Sequence, residues 1–161
     1  MVGIQGAELL CNSIIALISP AVWDAGTNAI HKIKSGVEMT KDYPNIKLWP
    51  SVYSAMDLIV NRTTPPHRDS SGSSTHYDLL VSAGTHTSSS LRLRELGVTL
   101  SYAPGSVVCL CGRVLMHEVD YWEGGERICL AHYMVDAVHD RLGSTRPLWP
   151  MQATYLALFS T

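Results

Sequence analysis

Phenylalanine is almost missing from this chain, with one residue in 161. The core must therefore be built from Leu, Ile, Val, Ala, Tyr and Trp. A basic surplus is missing too: 12 Lys and Arg stand against 14 Asp and Glu, for a net charge of −2. That balance excludes a strong, sequence-independent grip on nucleic acid through phosphate charge, although it leaves room for a local basic groove. No apolar run is long enough to span a bilayer. The stretch from Ile14 to Ile18 is short, lacks a basic leader and has Glu8 upstream in the same segment. The expected setting is therefore intracellular, in cytoplasm or nucleus. The four cysteines, Cys11, Cys109, Cys111 and Cys129, form no CxxC and no Cys/His spacing suited to structural zinc. They read as buried free thiols in a reducing compartment. Internal repeats are absent.

What is present is the composition of one globular domain, 46% hydrophobic and 16% charged. Helical periodicity marks residues 5–18, with Leu9, Leu10, Ile14 and Leu17 as an apolar face. It also marks residues 21–35, with Trp23, Ile30 and Ile33. Pro20 separates the two, and Gly36 follows the second where helices end. From residue 47 the pattern becomes short strands punctuated by Gly, Pro and Ser. The expected strands are 48–53, 56–61, 77–83, 91–94, 98–102, 106–111, 114–119 and 127–135. Residues 63–75 read as a polar loop. Many short strands after helices predict a mainly β protein with N-terminal helices, a jelly roll whose sheet the helices buttress. The expected layout is helical support over 1–46, a β core over 47–146 and an apolar C-terminal docking segment over 147–161.

Chemistry is concentrated in a spaced set: His67-Arg68-Asp69, then His117, then Arg127. Two imidazoles and one carboxylate make the facial triad of non-haem Fe(II) oxygenases, which leaves positions open for O2 and an organic cosubstrate. An Arg ten residues past the second His suits the remote carboxylate of 2-oxoglutarate, because a guanidinium donates two parallel hydrogen bonds. The set has rivals. His76-Tyr77-Asp78 repeats the His-x-Asp spacing, and His132 with Arg141 repeats the His-to-Arg spacing approximately. His67 is favoured by its place after Pro65-Pro66 and before a Ser/Gly loop able to admit a ligand. His117 is favoured by the turn Trp122-Glu123-Gly124-Gly125, which returns the chain directly to Arg127. A core histidine at His117 and a surface salt bridge from Arg127 to Glu123 or Glu126 are the plainer readings.

From Asp57 to Asp136 the chain resembles the fungal branch of the TET/JBP-type 2-oxoglutarate and Fe(II)-dependent dioxygenases. The likeness rests on Asn61-Arg62, His67-Arg68-Asp69 and Tyr77 through Gly84. It continues through Tyr102-Ala103-Pro104-Gly105, Gly112 through His117 and Gly125 through Cys129. It implies a double-stranded β-helix related to cupins. It implies Fe(II) on His67, Asp69 and His117, with 2-oxoglutarate on Arg127 and Asn61 and O2 as oxidant. The implied reaction is oxidation of the methyl group of a modified nucleobase (5-methylcytosine, thymine or N6-methyladenine), with DNA as partner in a nuclear setting. Arg68, Tyr102 and Trp122 are the candidate substrate-pocket residues. Departures accompany the likeness. Animal TET enzymes place a base-reading Asn three residues after the metal Asp, where this chain has Gly72, and no Cys-rich zinc region precedes the core. Two further readings stand beside this one: an oxygenase for a small molecule or protein side chain, and a non-catalytic jelly-roll binding module.

Overall fold

The computed structural model describes residues 4–149. Residues 150–161, and with them most of the expected docking segment, lie outside the described residues. Two helices open the chain, α1 (Gln5–Ile18) and α2 (Pro20–Ser35), followed by a short α3 (Val37–Asp42) and a 3-10 turn at Pro44–Leu48. Pro20 occupies the first turn of α2, where its missing N–H has no helical partner to lose. Nine strands follow among the described residues: β1 (Ala55–Val60), β2 (Thr64–His67), β3 (Asp78–Gly84), β4 (Ser88–Leu93), β5 (Val98–Ser101), β6 (Val107–Leu110), β7 (His117–Val119), β8 (Trp122–Glu123) and β9 (Arg127–Tyr133). A further helix, α4, spans Asp136–Leu142.

The strands form two antiparallel sheets. One runs β1-β9-β3-β6; the other runs β2-β7-β4-β5, with β8 also paired to β4. Strand alternation sends Leu80, Leu110 and Cys129 of the first sheet inward against Leu91, Leu93 and Val119 of the second. The opposite face of the first sheet, at Leu79, packs under Cys11, Ile15 and Val22 of the helices. This is the expected jelly roll with a helical buttress. No helix among the described residues is long and apolar enough to cross a membrane.

Four local expectations are corrected. Helix α1 does not bury its leucine stripe: Leu9 is 68% and Leu17 84% exposed, while Glu8, Cys11 and Ile15 face the core. The helix is rotated so that Glu8 Oε1 reaches His132 Nε2 at 2.7 Å, a buried contact that hydropathy cannot foresee. Residues 48–53 form no strand. The Asn12 side chain takes the place of a neighbouring strand there, donating to Pro50 O at 2.9 Å and accepting from Val52 N at 3.0 Å. The strand expected over 114–119 shrinks to His117–Val119, because Val114 N and Leu115 N both turn back to Cys111 O. Conversely, the expected loop begins with strand β2 despite Pro65-Pro66. Its pairing with β7 is irregular between Thr64 and His67, where the prolines have no N–H to offer.

Candidate metal centre and cosubstrate pocket

Strands β2 and β7 pair so that His67 lies opposite His117, with ring centroids 4.2 Å apart. The chain leaves β2 and places Asp69 beside them, its N–H donating to Gly112 O at 2.9 Å. Asp69 Oδ1 lies 3.5 Å from His67 Nε2, and Oδ2 lies 3.7 Å from His117 Nε2. Three ligand atoms, one from each residue, all lie within 4.8 Å of one another. His67 Nδ1 donates to Pro65 O at 2.9 Å, and His117 Nδ1 donates to Leu115 O at 3.0 Å. Each imidazole thus spends its Nδ1 proton on a carbonyl and turns Nε2 towards Asp69. That is the tautomer and orientation a metal ligand requires.

Gly112 shapes this corner. A Cβ there would stand 2.1 Å from Asp69 Oδ2 and 2.6 Å from Asp78 Oδ2. Asp78 belongs to the rival His-x-Asp pair, and the structure gives that pair a different task. The Asp78 carboxylate accepts from Gly112 N at 3.0 Å. Burial, with the neighbouring charge of Asp69, raises it to about 7. His76 instead packs against His139 of α4, with ring centroids 4.7 Å apart and the rings tilted by 44°.

Arg127 opens β9 and is 1% exposed. Its Nη1 donates to Arg62 O at 2.8 Å, its Nε has no partner, and no carboxylate pairs with it among the described residues. The expected alternative of a surface salt bridge is thereby excluded. A buried guanidinium lacking an anion is costly unless the site supplies one. The Tyr102 ring lies 5.9 Å from its guanidinium carbon. Asn61 holds the Arg127 main chain, accepting from its N–H through Oδ1 at 2.9 Å and donating to its carbonyl at 2.8 Å.

Triad and arginine share one cavity of about 290 Å³. Arg127, Tyr102 and Cys129 line one part; Asp57, Asp78 and Tyr133 line another, with His67, Asp69 and His117 also on the wall. A donor set of two imidazoles, a carboxylate and an unpaired buried guanidinium fits Fe(II) with a dicarboxylate cosubstrate.

The model for the TET/JBP oxygenase domain, the oxygenase domain of the 2OGFeDO superfamily, matches residues 5–136. The chain belongs to this family. Among solved structures, the TET/JBP chain is similar to NgTET1 in complex with 5mC DNA, at 15% identity and a TM-score of 0.63. The match covers 96% of this chain and 55% of that one, so the chain spans about half the length of that relative. A Cupin 2 conserved barrel domain protein from Salinispora arenicola matches at 18% identity and a TM-score of 0.38, over 59% of this chain and 76% of that one. No curated protein sequence matches.

The remaining expected residues of this TET/JBP domain fall in different places. Tyr102 lines the cavity beside Arg127. Arg68 and Trp122 do not line it. Arg68 is turned outward, donating through Nε to Val114 O at 2.8 Å and pairing with Glu95. Trp122 lies on β8, opposite Ser89. Asn61 meets the Arg127 backbone and does not line the cavity. The rival His132 is a core residue, donating through Nδ1 to Leu79 O at 3.1 Å. Arg141 lies in α4. Sequence reasoning missed Asp57, Asp78 and Tyr133 as wall residues. The alternation of Arg127, Cys129, Ala131 and Tyr133 along one strand face was the signal that finds Tyr133.

Proposed function

We propose that this domain is a 2-oxoglutarate and Fe(II)-dependent dioxygenase that oxidises the methyl group of a modified nucleobase in nucleic acid, DNA before RNA. The observation that carries the reading is the convergence of His67, Asp69 and His117 in one cavity with a buried, anion-less Arg127. His67, Asp69 and His117 would hold the metal, and Arg127 would hold the far carboxylate of the cosubstrate. Fe(II), 2-oxoglutarate and O2 together supply an oxidant able to attack an unactivated methyl group. The protein's own part is orientation. Pro65 O and Leu115 O fix the two imidazoles, Gly112 leaves space for Asp69, and Asn61 fixes the strand that carries Arg127. Apolar Leu80, Leu91 and Val119 line the same cavity and limit water there.

The nucleobase part is supported by family membership and by the cavity's other wall. There Asp57, Asp78 and Tyr133 line the cavity together. Carboxylates accept hydrogen bonds, so this wall suits a base with an exocyclic amine, 5-methylcytosine or N6-methyladenine, over thymine. On this reading the setting is nuclear. A second reading, a small-molecule or side-chain oxygenase, is favoured by one observation. Arg92 and Arg94 are both engaged by Glu118, and Arg68 by Glu95, so phosphates would have to compete for them.

The test is an aerobic incubation of the protein with Fe(II), ascorbate, 2-oxoglutarate and oligonucleotides carrying each modified base, with nucleosides and succinate read by mass spectrometry. Oxidised 5-methylcytosine or N6-methyladenine with matching succinate supports the proposal. Succinate without oxidised base moves the substrate to the second reading. Neither product from metal-loaded protein overturns both.

A further inference from the structure

Strand register leaves part of one sheet face without a cover. On the outer side of the first sheet, Met56, His132, Leu79 and Cys109 stand side by side across β1, β9, β3 and β6. Helix α1 serves that row, with Glu8 on His132 and with Cys11 and Ile15 packed with Leu79. The next row on the same side is Leu58, Leu130, Val81 and Val107, and after it come Val60, Ile128 and Ala83. All seven side chains are aliphatic. Leu58 is 64%, Val60 46% and Val107 37% exposed. Helix α1 has the converse defect. Its one charged residue, Glu8, is buried, and its outer side carries exposed Leu9, Leu10 and Leu17. The hydroxyl on that side, Ser13 Oγ, already donates to Leu9 O at 2.8 Å. A helix that is apolar all round is a buried helix, and an aliphatic sheet face needs a layer packed on it.

We propose that two copies of this chain pair about a two-fold axis, the outer side of α1 in each seated on the Leu58 and Val60 rows of the other. Each chain owns an apolar helix side that lacks a sheet and an apolar sheet area that lacks a helix. One symmetric contact, made twice, satisfies both, which is the form an isologous dimer takes. Neither surface carries a charge, so no like charges meet and no ion is buried unpaired. The exposed side chains of Leu9, Leu10, Leu17, Leu58, Val60 and Val107 offer roughly 700 Å² per copy, close to one partner's share of a standard-size interface. The cavity is not covered in the pair. Asp57, Ile59, Leu80 and Cys129 line it from the opposite face of the same sheet.

Sedimentation velocity of the chain over a concentration series tests this. The wild type should run at twice the chain mass. Leu17→Lys, on the helix side, and Leu58→Glu, on the sheet side, should each raise the dimer dissociation constant about a hundredfold or more, because each puts two charges into an apolar contact. Both positions are exposed in the single chain, so circular dichroism should show both variants folded. Mixing the two variants should restore a dimer. In the mixed pair one helix–sheet contact is wild-type, and the other sets the new ammonium on the sheet that carries the new carboxylate. A wild type that stays monomeric overturns the proposal and gives these surfaces to a different partner. Variants that stay dimeric overturn the assigned surfaces. A mixture that stays monomeric overturns the reciprocal arrangement, since helix-to-helix or sheet-to-sheet pairing is not rescued by mixing.

Discussion

Asn61 and Arg127 are locked together by a reciprocal pair of hydrogen bonds: the Asn61 N–H to the Arg127 carbonyl at 2.8 Å, and the Arg127 N–H to Asn61 Oδ1 at 2.9 Å. Asn61 adopts φ 49°, in the left-handed region that Asn tolerates better than most residues. The pair closes the end of the β1–β9 ladder at the place where the guanidinium enters the cavity. Asn61→Ala loses the side-chain acceptor and strains the backbone. It should cost roughly 1–2 kcal/mol and weaken 2-oxoglutarate binding. Asn61→Gly, which relieves the strain, should recover part of the stability and none of the side-chain bond. Melting curves with and without 2-oxoglutarate would check both; an Asn61→Ala protein matching the wild type in each would refute the positioning role.

Gly112 is the sharpest steric constraint at the metal corner, since a methyl there would stand 2.1 Å from Asp69 Oδ2. Gly112→Ala should therefore displace the carboxylate and abolish metal binding while the β sandwich stays folded. A ligand that binds only the folded state raises its melting temperature. The wild type should show that rise with Mn(II); Gly112→Ala, like His117→Ala, should not. A full Mn(II)-dependent rise in Gly112→Ala would contradict the assigned geometry.

The His76–His139 pair gives the fold an acid limit. Both rings are fully buried, and none of their four ring nitrogens has a partner among the described residues. Burial, with the nearby His139, lowers His76 from 6.5 to about 4; burial and Arg146 lower His139. In the unfolded chain these imidazoles take up protons that the native state refuses. Their contribution is thus fully present above pH 6.5 and lost as the pH falls from there towards 4. For His76 the loss across that window is roughly 3 kcal/mol. Denaturant midpoints between pH 7 and pH 4.5 should fall steeply, and His76→Phe should flatten the curve. A wild-type midpoint constant over that range would disprove it.

Glu8 and His132 tie α1 to β9 through a contact of 2.7 Å with both side chains buried. Burial opposes ionisation of Glu8, yet the hydrogen bond and charge of His132, with help from Ser51, hold the carboxyl below its usual range. Glu8→Ala leaves the imidazole nitrogen without a partner and should cost about 3–5 kcal/mol. Glu8→Gln, which keeps a hydrogen-bonding group, should cost less. Urea unfolding would rank the two variants, and a Glu8→Ala protein as stable as the wild type would show the pair to be dispensable.

The legible parts of this protein are those set by short-range pattern. Alternation announced β3, β4 and β9, and helical periodicity announced α1 and α2 almost to the residue. The spacing of His67, Asp69, His117 and Arg127 named side chains that the fold does gather around one cavity. Periodicity counts apolar residues, however, and does not weigh a buried acid. Of the expected face of Leu9, Leu10, Ile14 and Leu17, only Ile14 therefore packs on the core, and Glu8, Cys11 and Ile15 form the buried face of α1. Residues 48–53 looked like a strand because their apolar pattern says nothing of the Asn12 amide, which takes their backbone bonds.

By itself, the sequence determined the chemistry on offer: two imidazoles, a carboxylate and a guanidinium in a jelly-roll pattern. Residue type and spacing carry that information locally. Only the tertiary structure set Gly112 between Asp69 and Asp78, brought the His67, Asp69 and His117 ligand atoms within 4.8 Å of one another and placed Tyr102 beside Arg127. Those outcomes depend on strand register and on which buried polar groups find partners. Both are settled by contacts between residues dozens of positions apart, where no pattern in the chain reaches.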